Sequence, residues 1–209
     1  MPSFIRTRSL RAAAVATAAA SLLAGCATPT LDAQWRSVEL PAHYLRGATV
    51  LVSCETREVV LQRICEERLT AELSARGAMP VLAAPGTVAA MQPGVADLQY
   101  LPAARGLGAT AVFSVTLGLS SQSVNPGFSI GIGGFGFGGH TAGGIGVSAP
   151  IGGGRVSSGY SANGRITDVA SSRLMWTARA STPPSSDVGA QLADLSTTLI
   201  GAADRAGLF

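Results

Sequence analysis

Half of the 26 glycines in this chain fall between Gly127 and Gly154, and the segments on either side of that run both read as β-strands. Upstream, Thr110–Ser121 sets Ala111, Phe113, Val115, Leu117 and Leu119 on one face and Ser114, Thr116 and Ser120 on the other, the period of two that a half-buried strand requires. Downstream, Val156–Asp168 and Leu174–Ser181 form a strand pair around the turn Val169–Arg173. A glycine run between two such strands can only be a long hairpin extension. Glycine is entropically costly to order and has no side chain to pack, so residues 125–155 are expected to be a mobile surface hairpin rather than core.

The insert contains patterns that imitate catalytic motifs through composition alone. Gly127-Phe128-Ser129-Ile130-Gly131 matches G-x-S-x-G, but a nucleophile elbow needs a helix directly after the serine, and a glycine run follows instead. His140 and Asp168 also come in the reverse of the hydrolase order. The spacings Gly131/Gly133/Gly136 and Gly134/Gly136/Gly139 match the dinucleotide fingerprint, again without the helix that would receive a pyrophosphate. His140 on such a loop reads as a solvated turn residue. The alternation of Phe128, Ile130 and Ile132, resumed at Phe135 and Phe137, has a second reading as a membrane-inserting ribbon. Transmembrane strands need about 9–11 residues each with aromatic girdles, and here the pattern breaks after three or four apolar positions.

At the other end, Met1–Arg11 is basic through Arg6, Arg8 and Arg11, and Ala12–Leu23 is an apolar run. The run is shorter than the roughly 20 residues of a membrane span and ends in Leu23-Ala24-Gly25-Cys26, which is the layout of a secretory signal with a small-residue cleavage site. This segment resembles the signals of bacterial lipoproteins. The resemblance implies that 1–25 is removed as a signal peptide and that Cys26 becomes the first residue and carries acyl chains such as palmitate. It also implies outer-membrane sorting, since Ala27 rather than Asp follows the cysteine.

Charge excludes several function classes. The formal net charge is +3, but there is no lysine, and three of the 15 arginines precede Cys26. The remaining arginines and the 12 acidic residues balance, leaving no basic stripe to follow a phosphate backbone, so no nucleic-acid partner is expected. Without lysine there is no Walker-type phosphate loop and no Schiff-base nucleophile. His43 and His140 with scattered acids assemble no acid–base pair, metal cluster or activated nucleophile, so neither an enzyme, a cofactor nor a small-molecule substrate is expected. With Cys26 lipidated, Cys54 and Cys65 remain, either as a disulfide, which an oxidising compartment favours, or as two reduced core-facing thiols.

Residues 26–45, with Pro29 and Pro41, read as a lipidated tether containing at most one extended piece, and 46–206 as a single domain. Ala48–Cys54 is a buried strand. Thr56 caps a helix running to Arg76 and stopped by Gly77, with apolar rows Leu61/Cys65/Leu69/Leu73 and Val60/Ile64/Ala71/Ala75. Met79–Leu82 is a strand, and Asp97–Leu107 a helix bent or restarted at Pro102 and ended by Gly108. Asp187–Ala206 is a helix capped by Ser185 or Ser186, with Val188, Leu192, Leu195, Leu199 and Ala202 on one side. The order β-α-β-α-β-β-β-α predicts an α+β fold: a mixed sheet of about five strands with helices packed on it and the glycine-rich hairpin between strands three and four.

Ala104-Arg105-Gly106-Leu107-Gly108-Ala109-Thr110-Ala111-Val112 resembles the helix-to-strand join of small envelope lipoproteins of the TolB-N-terminal and CsgG-like type. Arg165-Ile166-Thr167-Asp168 followed by Leu174-Met175-Trp176 is similar to a hairpin in uncharacterised lipoproteins of that broad group, with Asp168 capping the turn and Trp176 anchoring the core. The likeness spans residues 46–206 and implies a fold, not one function. The reading that follows is a non-enzymatic, lipid-anchored module facing the periplasm, held to the membrane by its N-terminal lipid and binding or assembling with other envelope proteins. The alternative is an oligomeric CsgG-like secretion-channel or pore subunit that uses the glycine-rich hairpin.

Overall fold

Two apolar segments, Ala48–Cys54 and Thr110–Ser121, set the centre of the molecule. In the computed structural model, which describes residues 28–83, 96–125 and 155–209, these segments are neighbouring parallel strands of a six-stranded mixed sheet. The elements are β1 (Thr30–Arg36), β2 (Thr49–Glu55), α1 (Val59–Ala75), β3 (Met79–Leu82), α2 (Ala96–Gln99), α3 (Leu101–Gly106), β4 (Ala111–Asn125), β5 (Arg155–Asp168), β6 (Leu174–Ser181) and α4 (Val188–Arg205). The sheet order is β1-β6-β5-β4-β2-β3. β2 pairs in parallel with β3 and β4, while β4, β5 and β6 form an antiparallel meander.

Each face of the sheet has its own core. Val50, Val52 and Cys54 of β2, Phe113 and Val115 of β4, Ile166 of β5 and Trp176 of β6 pack with α1 and α4. Trp176 is fully buried and meets Phe113 edge to face at 6.3 Å, the anchoring role expected of it. The opposite face carries Leu51 and Val112, covered by Tyr100, Leu101 and Ala104 of the α2–α3 segment. Gly77 and Gly108, both at positive φ, end α1 and α3 in the left-handed conformation that glycine adopts without strain.

The sheet has six strands rather than five. The additional strand is β1, inside the stretch read as a tether, and it pairs antiparallel with β6. All its residues are exposed, so it carries no burial alternation for a sequence pattern to reveal. Leu40, Leu45, Leu208 and Phe209 are buried in the main core, so the domain extends beyond 46–206 on both sides. Leu45 N–H donates to the Leu208 carbonyl at 2.8 Å, tying the two ends together.

Helix starts also differ from expectation. α1 begins after Glu58, and Thr56 instead sits in the turn leaving β2. α4 is capped by Asp187, whose Oδ1 accepts from Ala190 N–H at 2.9 Å, because Ser185 accepts from the Asp187 amide and so lies outside the helix. The Asp97–Leu107 helix is interrupted at Tyr100, and Pro102 sits in the first turn of α3, where a missing N–H costs nothing. Of the two apolar rows of α1, only Leu61/Cys65/Leu69/Leu73 is fully buried, with Ile64 of the other row packing partly against the core. Val60 faces outward at 69 % exposure.

Candidate functional site

Two places bring functional side chains together. The first is a cleft of 440 Å³ where the start of α1 meets the base of the β4–β5 hairpin. Leu61, Leu117, Leu119 and Tyr160 provide its apolar lining, and Arg57 and Gln122 its polar groups. The backbone is closely fitted there. A β-carbon on Gly159 would lie 2.7 Å from the Thr182 carbonyl oxygen and 2.6 Å from Ser121 Oγ, so only glycine allows β5 to approach these groups. A bulge between Leu119 and Ser121 marks the same level in β4.

The second is a polar cluster beneath α2. The Asp97 carboxylate, 1 % exposed, receives Arg165 Nε at 3.1 Å on Oδ1 and Arg165 Nη2 at 3.4 Å on Oδ2, and also accepts from Thr167 Oγ1. Beside it Glu55 accepts from Gln99 Nε2 and Thr116 Oγ1, both at 3.3 Å. Burial pushes the Glu55 carboxyl above the ordinary glutamate value, against the hydrogen bonds from Thr116 and Gln99 that lower it. Burial likewise raises the Tyr100 hydroxyl to about 12. The cluster joins β2, β4 and β5 to the α2–α3 segment, which makes it a fastening for that cover rather than an open reactive centre.

The sign of the Glu55 shift gives a test. A carboxyl with a raised folded-state value favours folding below the unfolded value, and that contribution is lost as pH rises through the folded value. Glu55→Gln should therefore raise the melting temperature at pH 7 and leave it unchanged at pH 3, where the carboxyl is protonated in both states. Circular dichroism melts at the two pH values check this, and a loss of stability at pH 7 would contradict it.

Of the residues singled out in the sequence, Cys54 and Cys65 are brought together. The structure joins them, with 6.1 Å between their Cα atoms, linking the end of β2 to α1. Asp168 caps its turn as expected: Oδ1 accepts from Ser171 N–H and Ser171 Oγ, both at 2.6 Å. Partial burial raises the Asp168 carboxyl, but the hydrogen bonds from Ser171, Tyr44 and the backbone outweigh it and hold the group below the usual aspartate value. Tyr44 Oη donates to Asp168 Oδ2 at 2.7 Å, and burial together with that carboxylate raises the tyrosine above its ordinary value. His43 Nδ1 sits against the Phe209 carbonyl oxygen. Cys26, His140, the G-x-S-x-G match and both dinucleotide-like spacings lie outside the described residues. Among the described residues no helix is long and apolar enough to cross a membrane.

The Asp97–Arg165 pair was not evident in the sequence. Arg165 occupies the polar side of an alternating strand and so reads as solvated, and Asp97 reads as an ordinary acid in a first helical turn. Only the crossing of α2 over β5 makes them partners.

No protein-family model matches the chain, and no curated protein matches it. Solved structures with a similar arrangement include the PelC dodecamer from Paraburkholderia phytofirmans, at 17% identity over 84% of this chain and 94% of that one, with a TM-score of 0.45. Another is the lipoprotein GNA1162 from Neisseria meningitidis, at 14% identity over 76% of this chain and 99% of that one, with a TM-score of 0.39. Likeness at this level assigns neither family nor activity, and the TolB-N-terminal and CsgG-like resemblance of the short motifs gains no support from it.

Proposed function

We propose that this chain is a non-enzymatic lipoprotein of the outer membrane, facing the periplasm, that works by binding or assembling with other envelope components. The observation that carries the reading is Leu23-Ala24-Gly25-Cys26, placed four residues ahead of β1 and preceded by a basic segment and a short apolar run. The joined Cys54 and Cys65 support it, because such bridges persist in oxidising compartments. Lipidation of Cys26 by two or three acyl chains provides firm attachment, since each buried methylene contributes about 0.8 kcal/mol and one chain alone holds only marginally. Cys26→Ala should leave the protein uncleaved or soluble and without labelled palmitate. Unchanged fractionation of that variant with the outer membrane would refute the reading.

A second reading, an oligomeric channel or pore subunit, is favoured by one feature. Ser123–Asn125 pairs with Arg155–Ser157 beyond the residues of β4 and β5 that pair with β2 and β6 and beyond the Ser158–Ser185 bridge, so the two strands continue there as a two-stranded ribbon. Particle size in mild detergent separates the readings: a ring of fixed stoichiometry supports the pore, a monomer or dimer the binding module. Affinity capture from crosslinked envelopes would identify the components bound.

A further inference from the structure

The row of paired residues Thr30, Ser181, Ser161 and Gly118 crosses the sheet from β1 to β4, so the first residue of β1 and the mouth of the cleft lie at the same end of the molecule. β2 leaves the sheet at this end too, because Glu55 pairs with Thr116, and α1 starts from there. Three strand spacings, about 14 Å, separate β1 from β4. Only three residues lie between Cys26 and Thr30, so the four steps from one to the other reach at most about 14 Å fully extended. A lipid on Cys26 therefore holds this end of the sheet close to the bilayer.

The side chains found there suit that position. Val59 and Val60 are each 69 % exposed at the start of α1, and Leu119 is 59 % exposed on β4, flanking the mouth of the cleft. Leu107 and Val38 are exposed toward the other end of the molecule, as isolated surface residues commonly are, while Trp35 lines a separate cleft on β1 and β6. The charged groups around the cleft end, Arg57, Glu58, Asp32 and Asp187, are of mixed sign, so attraction to anionic headgroups does not account for the surface. Its apolar character points to the headgroup–acyl boundary, with Arg57 able to keep its guanidinium among phosphates while its stem lies in apolar surroundings.

We infer that Val59, Val60 and Leu119, around the α1–β4 cleft, dock onto the phospholipid surface to which the N-terminal lipid ties the protein. The inference rests on the lipid-anchor reading above. It fixes an orientation: the α1 start and the hairpin base face the bilayer, and the turn at Val169–Arg173 and the end of α3 face away.

The test uses the full acylated protein in phosphatidylethanolamine–phosphatidylglycerol vesicles containing brominated lipid. Tryptophan is introduced singly as Val60→Trp, Leu119→Trp or Leu107→Trp in a Trp35→Phe background, and the buried Trp176 remains as a constant signal. Brominated lipid should reduce the emission from positions 60 and 119 by about twofold and leave position 107 unaffected, whereas iodide should quench only position 107. Quenching of positions 60 and 119 by iodide alone would show that this end faces water and would overturn the inference. Shielding from both quenchers would show that residues 126–154 or a second copy cover the cleft, and would overturn it as well. Protein that fails to float with the vesicles and has an unmodified Cys26 by mass spectrometry would refute the anchor reading, and the docking inference with it.

Discussion

Arg165→Met should destabilise the fold by about 3–5 kcal/mol, the usual loss when one member of a buried ion pair is removed. For a domain of this size that is a fall of roughly 10–15 °C in melting temperature. The two partners are not equivalent. Asp97 is 1 % exposed, whereas the Arg165 side chain is 27 % exposed. Removing Arg165 strands a carboxylate with only Thr167 and Arg165's vacated position beside it, while removing Asp97 leaves a guanidinium that can turn toward water. Asp97→Ala should therefore cost less than Arg165→Met, toward the lower end of the range at about 3 kcal/mol. Far-UV and near-UV circular dichroism melts of both variants and the double variant complete the cycle. Equal costs for the two single variants that add in the double would show that the pair does not couple the α2–α3 cover to the sheet.

That pair marks the boundary of what the sequence reveals here. Thr110–Ser121 is legible because the face toward α1 and α4 is consistently apolar while the other face is mostly small or polar, which imposes a period of two on residue type even though Val112 and Ser114 are buried on that second face. Gly77 and Gly108 were legible as terminators because a positive φ selects glycine. β1 was not legible: an edge strand held by backbone hydrogen bonds to β6, with its side chains in solvent, places no demand on their chemistry. The second apolar row of α1 misled for the converse reason. Val60 and Ala71 repeat at helical spacing, yet the sheet covers only one row, and Val60 is left outside.

The candidate site follows the same division. The Cys54/Cys65 option arose from an even count in an exported chain, while the choice between bridge and thiols needed the fold that sets α1 back against β2. The cleft was illegible because its walls come from α1, β4 and β5, which are distant in sequence, and none of its residues is unusual for its own element. The motif-like patterns that were most conspicuous, G-x-S-x-G and the glycine fingerprints, arise wherever glycine is abundant and needed a helix after them to mean anything.

Loss of the Cys54–Cys65 bridge should destabilise the protein by about 2–3 kcal/mol, the loop-closure contribution for a short ring, and lower the melting temperature by roughly 5–10 °C. The bridge spans 11 positions in sequence and ties the end of β2 to the second turn of α1. Both cysteines are 2 % exposed, so reductant added to the folded protein should act slowly and the comparison is best made with variants. Either Cys54→Ala or Cys65→Ala alone breaks the bridge, so each single variant and the double variant should be destabilised alike, within a few tenths of a kcal/mol. Two reduced thiols packed independently would give losses that add in the double variant instead. Mass spectrometry gives a second, direct reading: denatured without reductant, the bridged protein should be two hydrogen atoms lighter than its reduced form and should take up no alkylating reagent at Cys54 or Cys65. Alkylation of both residues under those conditions would show that the two sulfurs are not joined, and would remove the support this bridge gives to an exported location.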